Sequence, residues 1–374
     1  MISSTRILIY AEHFRLAHAG AENDLVVLAR ALASRGHDVH VLSDTSDPIE
    51  GITLHQGLEN ADAVRSQVEP VVTLDWGFFH RADIHRVGGA VHQAFLPQSR
   101  QAYGPVARML KSASQSLSGK HRRQIAKEAQ ILSNPDARYL PISQLVAKQL
   151  RDAGVNQERI HTLYNGVDAD RFHPDHTPAE RQSKRAALGI PEDAVVFLFI
   201  AHNLRLKNLA LLKRVFDRLH GTNPKMRLLV IGKRQPPFTA PYLIYAGPSH
   251  QVEEFFMSSD ALLHSTYYDA FGNVVLEAMS AGLPVVVTPC AGASELIVDG
   301  SSGVVVPVQN SPVDTDRWAA AVAELAENPA RRHALGNAAR QTAKQHALSD
   351  FLDEFEQIII DVSANDYQRF QCRN

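Results

Sequence analysis

An α/β architecture of two Rossmann-like, doubly wound parallel-sheet domains is what this sequence predicts. Short apolar runs alternate with amphipathic helical stretches, which marks buried parallel strands and their crossovers. A polar segment at about 176–193, holding Pro178, Gly189 and Pro191, interrupts the alternation, which then restarts. The length of 374 residues suits two domains. Boundaries of 1–185 and 186–349 follow, and two such domains would face each other across a cleft.

The first series begins with RILIYA (6–11) as a strand. The helix Glu22–Ser34 carries Leu25, Leu28, Ala29 and Leu32 at helical spacing and stops before Gly36, a helix-ending glycine. HDVHVLS (37–43) completes a βαβ unit. Strands are also expected at 52–56, 70–75, 83–87, 137–143 and 159–166. In the second series, strands are expected at 194–201, 226–232, 241–247, 261–266, 284–289 and 303–308, with helices at 207–220, 250–258 and 273–281. The stretch 314–363 reads as helices only.

Composition narrows the function classes. Hydrophobic residues make up 45% and charged residues 21%, an ordinary globular balance. Two cysteines, Cys290 and Cys372, exclude a disulfide framework or a cysteine-rich zinc module. A net charge of −2 argues against nucleic acid as a partner. No stretch approaches a membrane span, and MISSTRILIYAEH lacks the apolar core of a secretory signal, so a cytoplasmic location is expected. The segment 98–127 stands apart, with seven Lys or Arg and no Asp or Glu. Arg108, Lys111, Lys120, Arg122, Arg123 and Lys127 accompany Met109, Leu110, Leu117 and Ile125. A basic amphipathic stretch of this kind suits an anionic membrane surface, and it equally suits a phosphorylated acceptor or a solvated face.

In open α/β sheets ligands bind beyond the carboxyl ends of the strands. The richest such region is HSTYYDAFGNVVLEAMSAGLPVVVTPCAGASELI, from His264 to Ile297. Asp269 precedes Phe271 and Gly272 at a helix start, and Glu277 lies further along that helix. Gly272 permits close backbone approach, and the N–H groups of a helix start suit an anion. Glu277 can accept two hydrogen bonds from a vicinal diol such as a ribose. Taken singly, Asp269 could be a helix cap and Glu277 a solvated residue.

This segment resembles the family 4 retaining glycosyltransferases of the GT-B fold. The resemblance rests on the acid and Glu eight residues apart, the Phe-Gly between them, and the continuation Glu277, Ala278, Met279, Gly282, Pro284, Val285, Val286, Gly292 and Glu295. The first acid is usually Glu in that family and is Asp269 here, one methylene shorter. NGVDADRFHPD (165–175) and IAHNLRLKNLALLKRVF (200–216) extend the resemblance. It implies that Arg205 and Lys207 hold the donor diphosphate, with Arg205 standing in for an Arg that the family commonly places at the position of His202. It implies that Asp269, with the backbone of Phe271 and Gly272, contacts the sugar, and that Glu277 takes the ribose. Gly232 and Asn273 are further donor-binding candidates. The family's Gly-Gly-x-Glu loop becomes Ala19, Gly20, Ala21 and Glu22, which makes Gly20 and Glu22 candidates for the first domain's side of the donor. The single glycine there, without G-x-G-x-x-G, argues against a nicotinamide or flavin site. His92 is the candidate beside the reacting sugar, with His85 as alternative.

The subgroup most similar is that of lipopolysaccharide-core glucosyltransferases, whose corresponding basic region contacts membrane. The implied reaction is transfer of a hexose, from UDP-glucose or another UDP-hexose, to a lipopolysaccharide-core, surface-glycan or other glycan acceptor. Retention of configuration and independence of metal and cofactor are implied with it. The terminal helix, 350–374, is expected to pack back on the first domain. A UDP-sugar 2-epimerase or hydrolase of the same fold, or a non-enzymatic two-lobed sugar-binding protein, are the rival readings.

Overall fold

The computed structural model describes residues 4–16, 21–249, 251–308 and 311–371. The chain forms two compact units. The first comprises Met1–Ala94, Gln115–Gly166 and Ser349–Asn374, and the second Phe95–Ser114 and Val167–Leu348.

The first unit holds a six-stranded sheet of β1 (Arg6–Phe14), β2 (Asp38–Ser46), β3 (Ile52–Gln56), β4 (Val72–Asp75), β5 (Ile84–Val87) and β6 (Arg138–Pro141), in the order β3-β2-β1-β4-β5-β6. Every pairing is parallel; β1 runs beside β2 from Arg6↔Asp38 to Phe14↔Ser46 and beside β4 from Ile7↔Val72. Ile7, Leu8, Ile9 and Tyr10 are all buried. A central strand covered on both faces needs an apolar run rather than an alternation, and the sequence supplies one. The helices are α1 (Ala21–Ser34), α2 (Ala61–Val68), α5 (Gly119–Leu132) and α6 (Gln144–Asp152); α3 (His92–Arg100) and α4 (Pro105–Leu117) fall mostly within Phe95–Ser114, which belongs to the second unit and not, as expected, to the first domain. The basic segment is therefore no single stretch. It breaks between α4 and α5 at Ser118, whose hydroxyl caps α5 by accepting from His121 N–H.

The strand expected at 159–166 does not form. His161 and Leu163 donate to the Tyr139 and Pro141 carbonyls of β6, with an isolated bridge at Tyr139↔Ile160. The buried Arg86 guanidinium binds the Leu140 and Leu163 carbonyls and Asn165 Oδ1. Ladder acceptors are thus taken by a side chain, and the chain turns away at Asn165.

The second unit holds α7 (Pro178–Ala187), β7 (Val195–Ile200), α8 (Leu209–Leu219), β8 (Met226–Ile231), β9 (Leu243–Gly247), α9 (Glu253–Ser258), β10 (Ala261–His264), α10 (Asn273–Ser280), β11 (Val285–Val287), β12 (Val304–Val305), α11 (Pro312–Glu327) and α12 (Pro329–Ala343). Its sheet runs β12-β11-β10-β7-β8-β9, again all parallel. Counted from its own first strand, this is the order 3-2-1-4-5-6 of the first unit. Its core gathers Phe197, Phe199, Leu212, Phe216 and Trp318 between the sheet and α8 and α11.

Residues 167–185, expected in the first domain and its linker, belong to the second unit. The reason is α7, which starts with a Thr177/Glu180 capping box and Pro178. Arg181 and Arg185 each reach Asp260 at 2.7 Å, and Asp260 Oδ2 also accepts Val196 N–H. The division therefore falls at Gly166/Val167 and not near 185. The last helix, α13 (Leu348–Gln371), carries Glu356, which accepts from His37 and Arg35, while Arg86 lies over Phe351. These residues are all in the first unit.

Candidate active site

In the 3-2-1-4-5-6 order the crevice for a ligand opens where the chain reverses direction across the sheet, between the first and fourth strands. In the second unit these are β7 and β10. Their carboxyl ends lead into loops 201–208 and 265–272, and those loops are laced together. Ser265 Oγ donates to the Lys207 carbonyl at 2.9 Å, and Tyr267 N–H and Thr266 Oγ1 donate to the Leu206 carbonyl. Asn208, left-handed at φ 62°, turns the first loop into α8 and caps that helix by accepting from Leu211 N–H.

This lacing brings Lys207 and Asp269, 62 positions apart, into an ion pair. His264 Nε2 lies 3.0 Å from the same carboxylate oxygen, Oδ2. Burial acts to raise the Asp269 pKa, but the Lys207 ammonium and the His264 hydrogen bond outweigh it. The carboxyl is held well below its ordinary range. His264 is buried, and burial with the nearby Lys207 lowers its pKa against the pull of Asp269. A neutral ring facing a carboxylate must carry its proton on Nε2. Both contacts fall on Oδ2; a carboxylate has acceptor capacity on two oxygens, and an ammonium has three donors. The cluster can therefore accept from a hydroxyl and donate to an anion while staying intact.

Gly272 fits this site in two ways. Its φ is +90°, and a Cβ there would sit 3.0 Å from Asp269 Oδ2 and 3.1 Å from His264 Nε2. It caps α10, whose first residue is Asn273, so that helix start lies beside the carboxylate. Asp269 N–H donates to the Cys290 carbonyl at 2.9 Å, Gly292 N–H to the Asp269 carbonyl and Ala293 N–H to the Phe271 carbonyl, which fixes the Gly-rich loop 290–295 against it. Phe271 is buried, and Glu277, the fifth residue of α10, is half-buried.

Gly232 has a different task. A Cβ there would come within 2.0 Å of the Ala201 carbonyl oxygen, so only glycine lets the ends of β7 and β8 run side by side. His202 follows Ala201 and Lys233 follows Gly232. Burial, Lys233 and Lys207 all lower the His202 pKa, so the position often occupied by Arg in the family holds a weakly basic ring among cations. Arg205 is exposed, its guanidinium 4.6 Å from the Tyr103 ring centroid.

The first-unit candidates fare differently. Gly20 lies outside the described residues, and Glu22 is placed as part of α1 with its side chain outside them. His92 opens α3, its Nε2 2.8 Å from His121 Nδ1 and its N–H donating to Glu128 Oε2. Burial, with His121 and Lys120, lowers its pKa. His85 is fully buried within the sheet, its Nδ1 3.0 Å from the equally buried Asp75. It is a core histidine and not, as the alternative expectation has it, a residue beside the reacting sugar. Sequence reasoning missed His264 and Tyr103. A histidine ending a strand, five residues before the acid, was a usable signal for the first; nothing local marks the second. Among the described residues, no group of three or more His, Cys, Asp or Glu is placed to hold a metal.

Residues 18–171 match the family model described as Glycosyltransferase Family 4, and residues 180–342 the model described as Glycosyl transferases group 1. A D-inositol 3-phosphate glycosyltransferase of Saccharomonospora viridis is 29% identical over 246 residues, 60% of this chain and 55% of the relative. That of Geodermatophilus obscurus is 31% identical over 57% of this chain and 52% of the relative. The chain thus spans little more than half the length of these relatives. The fold is shared with WaaG, a glycosyltransferase involved in lipopolysaccharide biosynthesis, at a TM-score of 0.78 and 20% identity, over 94% of this chain and 99% of that one. It is shared also with Anabaena HepE in complex with UDP and glucose, at 0.72 and 16%, over 96% and 100%.

Proposed function

The chain belongs to the glycosyltransferases of family 4 and group 1, and from that premise we propose that it moves a hexose from a UDP-sugar to a lipopolysaccharide-core, surface-glycan or other glycan acceptor. The observation that carries this reading is the Lys207–Asp269–His264 cluster at the start of α10, at the crevice between β7 and β10.

Lys207 and Arg205 neutralise the diphosphate as charge develops on it at departure. That is electrostatic stabilisation by groups already in place. Asp269 accepts from the sugar hydroxyls, and its ionised state is secured by Lys207. Glu277 accepts from the ribose diol. Two cations and a helix start supply the stabilisation a metal ion gives elsewhere, so the transfer proceeds without one, and the anomeric configuration is retained. Gly20, Glu22 and His92 are the first unit's candidates for donor or acceptor binding.

No helix among the described residues is long and apolar enough to cross a membrane. The proposed location is the cytoplasm, at an anionic membrane surface. The support is α4, where Val106, Met109, Leu110 and Leu117 are all exposed on a helix that also carries Arg108 and Lys111. A glycolipid acceptor would be met there. Neutralising Arg122, Arg123 and Lys127 together should reduce sedimentation with anionic vesicles while UDP binding is unchanged; equal sedimentation would reject the surface.

The decisive experiment is calorimetry with UDP, GDP, ADP and their sugars, followed by product analysis with no acceptor added. UDP and a UDP-hexose should bind. A free 2-epimer formed without acceptor would replace transfer by epimerisation.

A further inference from the structure

Arg205 is tied to a part of the chain far from it in sequence. Its guanidinium lies 4.6 Å from the centroid of the Tyr103 ring, and Lys111 Nζ lies 4.9 Å from that centroid. Tyr103 belongs to the segment Phe95–Ser114, which the contacts assign to the second unit. Two further contacts seat this segment. Phe95 meets Tyr268, the neighbour of Asp269, edge to face at 5.6 Å, and Ala102 packs against the second unit's core together with Leu204 and Leu206. The segment is also braced internally, as Arg100 bonds Ser112 and Arg108 donates to the Tyr103 carbonyl. Tyr103 is thus a half-buried ring on a supported loop, presented to an exposed arginine of the proposed donor site.

We propose that Tyr103 is a positioning residue for the nucleotide-sugar donor, acting by holding the Arg205 guanidinium in place. The proposal rests on the reading of Arg205 as a diphosphate ligand. An aromatic ring engages the face of a guanidinium, whereas phosphate is bound by the N–H groups in its plane. Stacking and phosphate binding are therefore compatible. An exposed arginine otherwise loses several side-chain rotations when it binds. Tyr103 removes that loss beforehand, which is preorganisation. Hydrogen bonding from Lys111 lowers the Tyr103 pKa most, with the charge and hydrogen bonding of Arg205 adding to it, so the phenol oxygen as well as the ring engages these cations.

The test is a double-mutant cycle read by calorimetry with UDP. Tyr103→Ala should weaken UDP binding about three- to tenfold, the range expected for one side chain set free. Tyr103→Phe keeps the ring and loses only the hydroxyl, so it should weaken UDP binding less than Tyr103→Ala does. In an Arg205→Ala background, Tyr103→Ala should have no further effect, an outcome that a merely structural role would not give. Equal UDP affinity in parent and Tyr103→Ala, or full additivity with Arg205→Ala, would overturn the proposal while leaving the donor site standing. Tyr103→Leu serves if the alanine variant does not fold. Failure of the unmodified protein to bind UDP would remove the donor reading, and this proposal with it.

Discussion

Both sheets carry an aspartate–histidine pair near the carboxyl end of a strand bordering the point where the strand order reverses. In the first unit, Asp75 ends β4 and meets His85 at 3.0 Å, both fully buried. Asp75 also accepts the N–H groups of Phe79 and His80. In the second unit, Asp269 meets His264 at the same 3.0 Å, but the Asp269 side chain keeps 20% of its exposure and Lys207 joins it. The same two residue types at one separation are a sealed structural pair in one sheet and the heart of a candidate site in the other. What separates them is solvent access and the added cation. A buried carboxylate whose acceptors are filled by its own backbone has little left to offer a ligand, whereas one at a loop mouth, ionised by an ammonium, can exchange partners.

The contrast can be broken by experiment. The largest effect is expected for Asp75→Ala, which strands His85 Nδ1 and two backbone donors. It should cost about 3 kcal/mol of stability by urea unfolding, with UDP affinity unchanged in the folded fraction. Loss of UDP binding without loss of stability would erase the distinction. Lys207→Ala should invert the pattern. Turnover should fall at least tenfold and on the order of a hundredfold, as for removal of one charge-stabilising group, while stability changes little by comparison. Full turnover would contradict the assignment to the diphosphate. Glu277→Ala, a little over a turn into α10, should weaken UDP binding about tenfold, the scale of a charged hydrogen-bond acceptor lost. Unchanged affinity by calorimetry would remove it from the ribose.

The smallest effect concerns acid. Asp269 is held below its ordinary range in the folded protein, so its pairing stabilises above the unfolded value, roughly pH 4, and that contribution is lost as pH falls further. Lys207→Met removes the ammonium and leaves only His264 against burial, so the Asp269 pKa should rise. Melting temperature, followed from pH 7 to pH 3, should then fall less steeply below about pH 4 than in the parent, because the depressed Asp269 no longer contributes to the acid loss. Superimposable acid limbs would show that the ion pair does not control Asp269.

Much of this was legible in the sequence because it is encoded locally. The run RILIYA and the period of Leu25, Leu28 and Leu32 report burial of one strand and one helix face, and nothing distant is needed to interpret them. Gly272 could be singled out as the glycine after Phe271 at a helix start; its positive φ and crowded Cβ are what the fold adds. Other elements were misjudged where a side chain overrode the pattern. The 159–166 segment alternates as a strand would, but Arg86 occupies its Leu163 carbonyl and the Asn165 side chain. The polar stretch before β7 read as a linker, but its arginines converge on Asp260 and tie it to the second unit.

The sequence by itself determined the two α/β series, the loops that end their strands, and the residue types offered there. Tertiary structure alone decided which of those residues meet. Lys207 joins Asp269, His85 retires into the core with Asp75, and Tyr103 lies on Arg205. Apolar periodicity is a property of neighbours along the chain and fixes each element. Partners across 62 or 102 positions depend on the strand order that sets β10 beside β7 and on the packing of segment 95–114, and no local pattern contains either.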